Sequence, residues 1–566
     1  MSSRRIALLL SAVSMVVLAV WILYSPSRDQ NSAADAVQDG LADGDASASS
    51  LEPWRSPDDP LPSPATEEAL LSWLDRRAAS MAASAYQPPD ESLPPALRSL
   101  DYDAYNQIRY RPEAAIWQGR TPFELQLFHR GGTQEDRVAL YLVEGDSVRR
   151  VAFEPRRFRY ERQAAPLEED AADWAGLDHA GFRVHYPLNR AGVADEVVVF
   201  LGASYFRLLG PGQAHGLSSR GLAVNVLQGE EFPDFRAFWL ARPEPGDSTL
   251  TILALLDGPS VAGAYRFELL PGQAGRPGRE ATIVDVEARL HARRDIDKLG
   301  VAPLTSMYLF GPREAARFDD FRARVHDSEA LLIHDGRDEW TWRPLTNDGP
   351  PEATLLPDSM VRGYGLVQRH RDFGDYLDAE ARYHLRPSQW VEPAGWGAGA
   401  VELVELPSDS EFFDNVVASW VPAEELQAGA SRTYRYRLHT FDDALAVGEP
   451  LRVRRWRSGW DALPGASDPP PRSRRRFVVD FAPAPGGGEE SAGTRPDLSL
   501  TTSTGDVSDA VIVPLPGGGW RVSFRMEAPG VAWDRGDPAV LRLFLARNGS
   551  PVSEIWRYPW RPGPDA

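Results

Sequence analysis

The sequence has no cysteine in 566 residues. Disulfides, thiolate nucleophiles and zinc or iron–sulfur centres held by cysteine are therefore excluded. A long chain without cysteine suits export, where mispairing is a hazard. Basic residues are outnumbered: 61 Lys plus Arg stand against 81 Asp plus Glu, a formal net charge of −20, and Lys298 is the sole lysine. This argues against nucleic acid as a partner, because a phosphate backbone is held by clustered basic side chains. There is no His-Glu-x-x-His and no histidine pair at metal-binding spacing, so neither a metal nor a cofactor is expected. Walker and dinucleotide fingerprints are missing too. Gly216-Leu-Ser-Ser-Arg-Gly221 and Gly258-Pro-Ser-Val-Ala-Gly263 only approach a nucleophile elbow. No fixed-period repeat is visible, which excludes a propeller or solenoid.

Hydrophobic residues make up 43% of the chain, enough for more than one folded core. Arg4 and Arg5 precede an apolar run from Ile6 to Tyr24. That run is close to the roughly 20 residues that span a bilayer. Trp21, Ile22, Leu23 and Tyr24 occupy the place where a small-residue cleavage site would fall. Residues 1–25 therefore read as an uncleaved signal anchor with its N-terminus in the cytoplasm. Residues 26–65, rich in Ser, Ala, Asp and Pro, read as a disordered tether. Thr66 followed by Glu67 and Glu68 starts a helix, with Leu70, Leu71, Leu74 and Met81 near helical spacing.

Beyond about residue 122 the pattern is β. Val138–Phe153 alternates, with Glu144-Gly145-Asp146 as a hairpin turn. Further short apolar runs fall at Glu196–Phe200, Thr249–Leu256, Tyr265–Leu270, Ala281–Leu290 and Ala400–Leu406. The chain is thus all-β, with a large sandwich over 66–422. The polar segment Pro422–Ser431 reads as a linker to an immunoglobulin-like sandwich over 432–562. Between that domain's strands lie a Gly-rich loop, Gly486–Gly488, and the basic run Arg472–Arg476, which reads as a solvated loop.

Carboxylates and aromatics remain as candidates for chemistry. The 17 Trp and 17 Tyr offer flat faces for sugar rings, although most are expected in the core. Region 326–415 is densest in Trp, Arg, Asp and Glu. Glycoside cleavage needs two carboxyl groups, one protonated and one ionised. Among 81 acidic residues, composition does not pick the pair. Arg369 and Asp372 read as a buried ion pair in this region, with contact to the ligand as the alternative.

Several longer motifs decide the matter. They include Leu177-Asp-His-Ala-Gly-Phe-Arg-Val-His-Tyr-Pro-Leu-Asn189, Val199-Phe-Leu-Gly-Ala-Ser-Tyr-Phe-Arg207 and Leu256-Asp-Gly-Pro-Ser-Val-Ala-Gly-Ala-Tyr-Arg-Phe267. Val325-His-Asp-Ser328, Arg386-Pro-Ser-Gln-Trp-Val-Glu-Pro393 and Asp414-Asn-Val-Val417 continue the series. Together they resemble the osmoregulated periplasmic glucan biosynthesis family. The resemblance implies a galactose-mutarotase-like β-sandwich with a cleft, joined to the immunoglobulin-like domain. It implies a periplasmic protein acting on β-1,2-linked glucans, most directly as an anomer-inverting endo-glucanase. A transglycosylase, or a non-catalytic glucan-binding partner of a membrane glucosyltransferase, is the alternative. Carried over from the family motifs, Asp327 is the expected general acid and Asp414 the general base, with the roles open to exchange. Tyr383, Arg386, Trp390 and Glu411 are the expected substrate contacts. A homodimer is implied as well, since a C-domain loop of a neighbouring subunit can close over the cleft in this family. Departures from the family pattern are Glu329-Ala330, Arg130 in place of a proline, and the loop from Gly459 to Arg476.

Overall fold

The computed structural model describes residues 59–89, 92–443, 450–462, 465, 467–483, 494–528 and 537–561. The expected anchor, the tether up to residue 58 and the Gly486–Gly488 loop lie outside them. No described helix is long and apolar enough to cross a membrane.

The expected helix runs Glu67–Ala82, and the Thr66 hydroxyl accepts a hydrogen bond from the Ala69 amide at 3.3 Å. Packing starts earlier than the composition implied. Asp59 accepts from Arg77 at 2.7 Å, and its carbonyl accepts from the Trp73 indole at 3.1 Å. The helix buries Leu70, Leu71, Trp73 and Leu74 on the outer face of a long sheet. Alternation in strand Val261–Leu270 explains the fit. Ala262 and Ala264 face the helix and let it approach, while Tyr265, Phe267 and Leu269 face the main core.

That main core lies between two large sheets. One has ten strands: nine run from Glu124–Phe128 through Gly181–Tyr186, Asp195–Leu201, Tyr205–Leu208, Ser218–Arg220, Leu299–Ser306, Val416–Pro422 and Gly399–Glu405 to Glu352–Asp358, and Leu222–Val224 pairs with Leu299–Ser306 beside them. Phe200 sits in the middle of the core, with Phe182, Phe238 and Phe267 at centroid distances of 5.1, 5.0 and 5.3 Å. Such offset and edge-on contacts add to the burial of large apolar rings. The Ala139–Glu144/Ser147–Arg150 hairpin closes at Gly145, whose φ of 59° suits the turn that the sequence predicts.

The second large sheet has fifteen strands and crosses the expected domain boundary. Strand Ser431–Phe441 pairs with Thr282–Ala292 on one side and Ser388–Pro393 on the other. It therefore belongs to the first lobe, and Pro422–Ser431 is a loop between strands of that lobe. At the far end, Trp340–Pro344 pairs in parallel with Ile555–Trp560, and Ala539–Arg547 and Asp497–Thr502 continue the sheet. A four-stranded sheet comprising Arg452–Trp460, Arg475–Ala482, Trp520–Glu527 and Asp506–Pro514 completes the C-terminal sandwich. Its core is shared: Phe477, Phe524 and Trp556 pack in one cluster with Trp340, Trp342 and Trp390. Within the basic run, Arg474 pairs with Glu527 and Arg476 with Asp461, and Arg472 lies over Trp460. The run leads into the inner strand Arg475–Ala482, and Asp461 is buried beneath it.

The ion pair expected between Arg369 and Asp372 is not formed. Arg369 instead reaches Glu554 of the C-terminal sandwich at 2.8 Å, over the Trp342 ring, and Asp372 is exposed before the short helix Phe373–Tyr376. Glu554 also accepts from the Val453 amide at 2.7 Å, so the buried pair ties three segments together. Arg130, at the family's proline position, is buried and donates to the Glu135, Ser92 and Leu177 carbonyls, holding loops together.

Candidate active site

Asp327 and Asp414 are brought together by one short stretch of backbone at the end of strand Leu299–Ser306. The Asn415 amide donates to the Ser306 carbonyl at 3.0 Å, and the Asp327 amide donates to the Met307 carbonyl at 2.8 Å. Asn415 then locks the place: its side chain accepts from the Tyr308 amide at 2.8 Å and donates to the Tyr308 and Leu406 carbonyls. This explains why an Asn follows Asp414. Its amide side chain bridges three backbone groups that would otherwise be left unpaired. His326, before Asp327, is buried against Tyr308, and its Nδ1 donates to the Gln368 side-chain oxygen at 3.0 Å. Burial pushes its imidazole down to about 3, so it packs as a neutral ring.

The two carboxyls differ in surroundings. Asp327 is only 2% exposed and accepts a short hydrogen bond from the Arg386 guanidinium. Burial raises its pKa, against the opposing pull of Arg386 and Arg207. Asp414 is half-buried, and burial pushes its carboxyl up to about 6; Arg207 pulls it down, while the nearby Asp327 pushes it further up.

Arginines on the sheet beneath set this field. In strands Tyr205–Leu208 and Ser218–Arg220, Tyr205 lies opposite Arg220 and Phe206 opposite Ser219. Alternation then puts Tyr205, Arg207, Ser218 and Arg220 on one face, with Phe206 and Leu208 in the core. Arg207 donates to the Ser218 hydroxyl at 2.8 Å. Arg220, 1% exposed, lies over the rings of Tyr205 and Phe232 and donates to Glu230 at 2.8 Å. Both arginines act on Asp414 through their charge. The sequence reading missed them as site residues, although both lie in quoted motifs. The usable signal was an arginine at an alternating position of a short apolar strand.

The expected binding residues divide. Tyr383, Arg386 and Glu411 join the site. The Arg386 guanidinium stacks on the Tyr383 ring at 4.0 Å and donates to the Ala381 carbonyl. Gly216 makes this possible, because a Cβ there would stand 2.8 Å from the Arg386 Cβ. The Tyr383 hydroxyl donates to Glu411 at 2.8 Å, and Glu411 also accepts from Arg322 at 2.9 Å. Burial raises the Tyr383 phenol, so it stays a neutral donor. Trp390 does not join them. It is 5% exposed, stacks on Trp340 at 5.5 Å, and would collide with a Cβ on Gly363. Its neighbour Gln389 points the other way and accepts from the Ser219 hydroxyl, as period-two alternation requires.

Fold and site together define a two-lobed β-sandwich protein with a carboxylate pair under arginine control. Comparison with known proteins places it more closely. The family model described as "Periplasmic glucan biosynthesis protein, MdoG" matches residues 70–560, and the chain belongs to that family. A "Glucans biosynthesis protein G" of Rhodopseudomonas palustris is 41% identical over 497 residues, covering 87% of this chain and 93% of the relative. Proteins of the same name from Bradyrhizobium diazoefficiens and Vibrio cholerae are 40% and 39% identical; the matches cover 87% and 86% of this chain and 93% and 85% of the relatives.

Proposed function

We propose that this chain cleaves β-1,2-linked glucan in the periplasm as an anomer-inverting endo-glucanase, with Asp414 as general acid and Asp327 as general base. These roles exchange those expected from the motifs. The observation that carries the reading is the Asp414 carboxyl, raised to about 6, beside an Asp327 held by Arg386. A general acid works best with a pKa near the working pH, and a carboxylate bonded to a guanidinium favours its charged form.

In this mechanism protonated Asp414 delivers its proton to the glycosidic oxygen as the bond from that oxygen to the anomeric carbon breaks. Water attacks the opposite face of the anomeric carbon, and its proton passes to ionised Asp327. Because Asp327 is buried, the transfer runs through an intervening water or sugar hydroxyl. Solvent exchange then returns both carboxyls to their starting states. Tyr383 and Arg386 flank the reacting sugar, and Glu411 fixes the Tyr383 hydroxyl. The linkage, a membrane glucosyltransferase partner and a homodimer are all carried over from the family resemblance.

The test is incubation of the purified protein with linear β-1,2-glucan, with products followed by chromatography and proton NMR. Shorter oligosaccharides with newly formed α-anomeric ends are expected, and Asp327→Asn and Asp414→Asn should each stop turnover without unfolding the protein. Cyclic or relinked products would replace hydrolysis by transglycosylation. If the wild type leaves the glucan as intact as Asp414→Asn does, the non-catalytic reading prevails.

A further inference from the structure

A cavity of about 50 Å³ lies between the two lobes, behind His326. One wall comes from the first lobe, with Arg313, Arg324, Glu329 and Trp342, and the other from the C-terminal strand Arg452–Trp460. Five arginines and two glutamates line it. Both glutamates are already engaged: Glu329 by the His370 ring and the Arg369 amide, Glu314 by Arg313 and the Tyr308 hydroxyl. Arg324 and Arg455 have one carboxylate each, Asp375 and Asp480, neither of which lines the cavity.

Arg457 differs from these. It donates to the carbonyl of its own neighbour Trp456, and among the described residues no carboxylate pairs with it. Partial burial of this otherwise exposed side chain, followed by the charges of Arg324 and Arg455, lowers its pKa, with Asp375 and Asp480 acting in the opposite sense. Docking the lobes therefore sets like charges facing each other, a repulsion that an anion between them would relieve.

We infer that this cavity is a binding site for a phosphate group, held between Arg324 of the first lobe and Arg457 of the second. The guanidinium fork suits a tetrahedral oxyanion, whose several oxygens accept from more than one arginine. At roughly 10–15 Å³ per water, the space admits a group of a few heavy atoms and no sugar ring. The phosphate is either free or the end of an ester whose organic part stays outside. A ligand bound there bridges the lobes one residue away from Asp327. The inference is independent of the glucanase reading.

The experiment is titration calorimetry and thermal unfolding of the purified protein at low ionic strength, with inorganic phosphate and with glucose 6-phosphate. Saturable binding of at least one probe, with a rise in melting temperature, is expected. Arg457→Gln, at an exposed position, should weaken that binding at least about tenfold, the loss expected for a charged hydrogen bond. Arg156→Gln, on a surface away from the cavity, should leave it unchanged. Binding of phosphate itself identifies the free ion as sufficient, and binding of the ester alone identifies an esterified ligand. Absence of binding to the wild type, or equal affinity in Arg457→Gln, overturns the inference.

Discussion

Replacing Asp414 by asparagine removes a titration while keeping the side chain's size, and its effect on stability follows from the site's charges. The folded carboxyl titrates at about 6, whereas an unfolded aspartate titrates near 3.9. The folded state thus holds its proton longer, and the wild type loses stability as the pH rises from about 4 through about 6. Fully developed, the shift is worth about 3 kcal/mol. Asparagine carries no such term. The stability of Asp414→Asn relative to wild type should therefore be about 2 kcal/mol greater at about pH 8 than at about pH 4.5. Urea denaturation followed by tryptophan fluorescence at both pH values measures this difference. A gap that does not change with pH, or one that shrinks as the pH rises, would refute the electrostatic account of Asp414, whatever happens to turnover.

Three further outcomes are expected. Arg369→Ala leaves Glu554 buried beside a single amide donor and should destabilise the protein by about 3–5 kcal/mol, with part recovered by adding Glu554→Gln; a neutral urea midpoint would contradict the inter-lobe pair. Gly216→Ala pushes a methyl group towards the Arg386 stem and should lower kcat on β-1,2-glucan at least about tenfold, a loss of about 1.4 kcal/mol in barrier terms. The overpacking should also cost about 1–3 kcal/mol of stability, and unaltered kcat in the folded variant would show that Arg386 placement is unimportant. Trp390→Phe should cost about 1–3 kcal/mol of stability as a core truncation and leave KM unchanged; a raised KM at unchanged stability would restore Trp390 as a substrate contact.

Much of the fold was legible because alternation and turn residues are local. The hairpin at Gly145 and the helix capped by Thr66 needed no distant information. Strand Ser431–Phe441 was harder, since the polar stretch before it has the composition of any exposed loop. Its allegiance is set by strands Thr282–Ala292 and Ser388–Pro393, which are remote in sequence. The partner of Arg369 lies 185 residues away, so proximity in sequence favoured the wrong acid. At the site, motif resemblance supplied Asp327 and Asp414, but not the difference between them. That difference comes from burial and from Arg207, Arg220 and Arg386, which only the packed sheets bring together. Trp390 was misread for a simpler reason: it adjoins the Arg386 motif in sequence, and alternation turns it into the core.

The parallel pairing of Trp340–Pro344 with Ile555–Trp560 has a consequence during synthesis. Until residue 560 has emerged, the first lobe's sheet ends in an open edge bearing Trp340 and Trp342, with unpaired backbone groups that invite pairing with another chain. A chain made N-terminus first carries this sticky edge from the emergence of residue 344 until that of residue 560. A premature stop shortly before residue 537 would leave an aggregation-prone fragment for quality-control proteases, rather than a working lobe with its smaller companion missing.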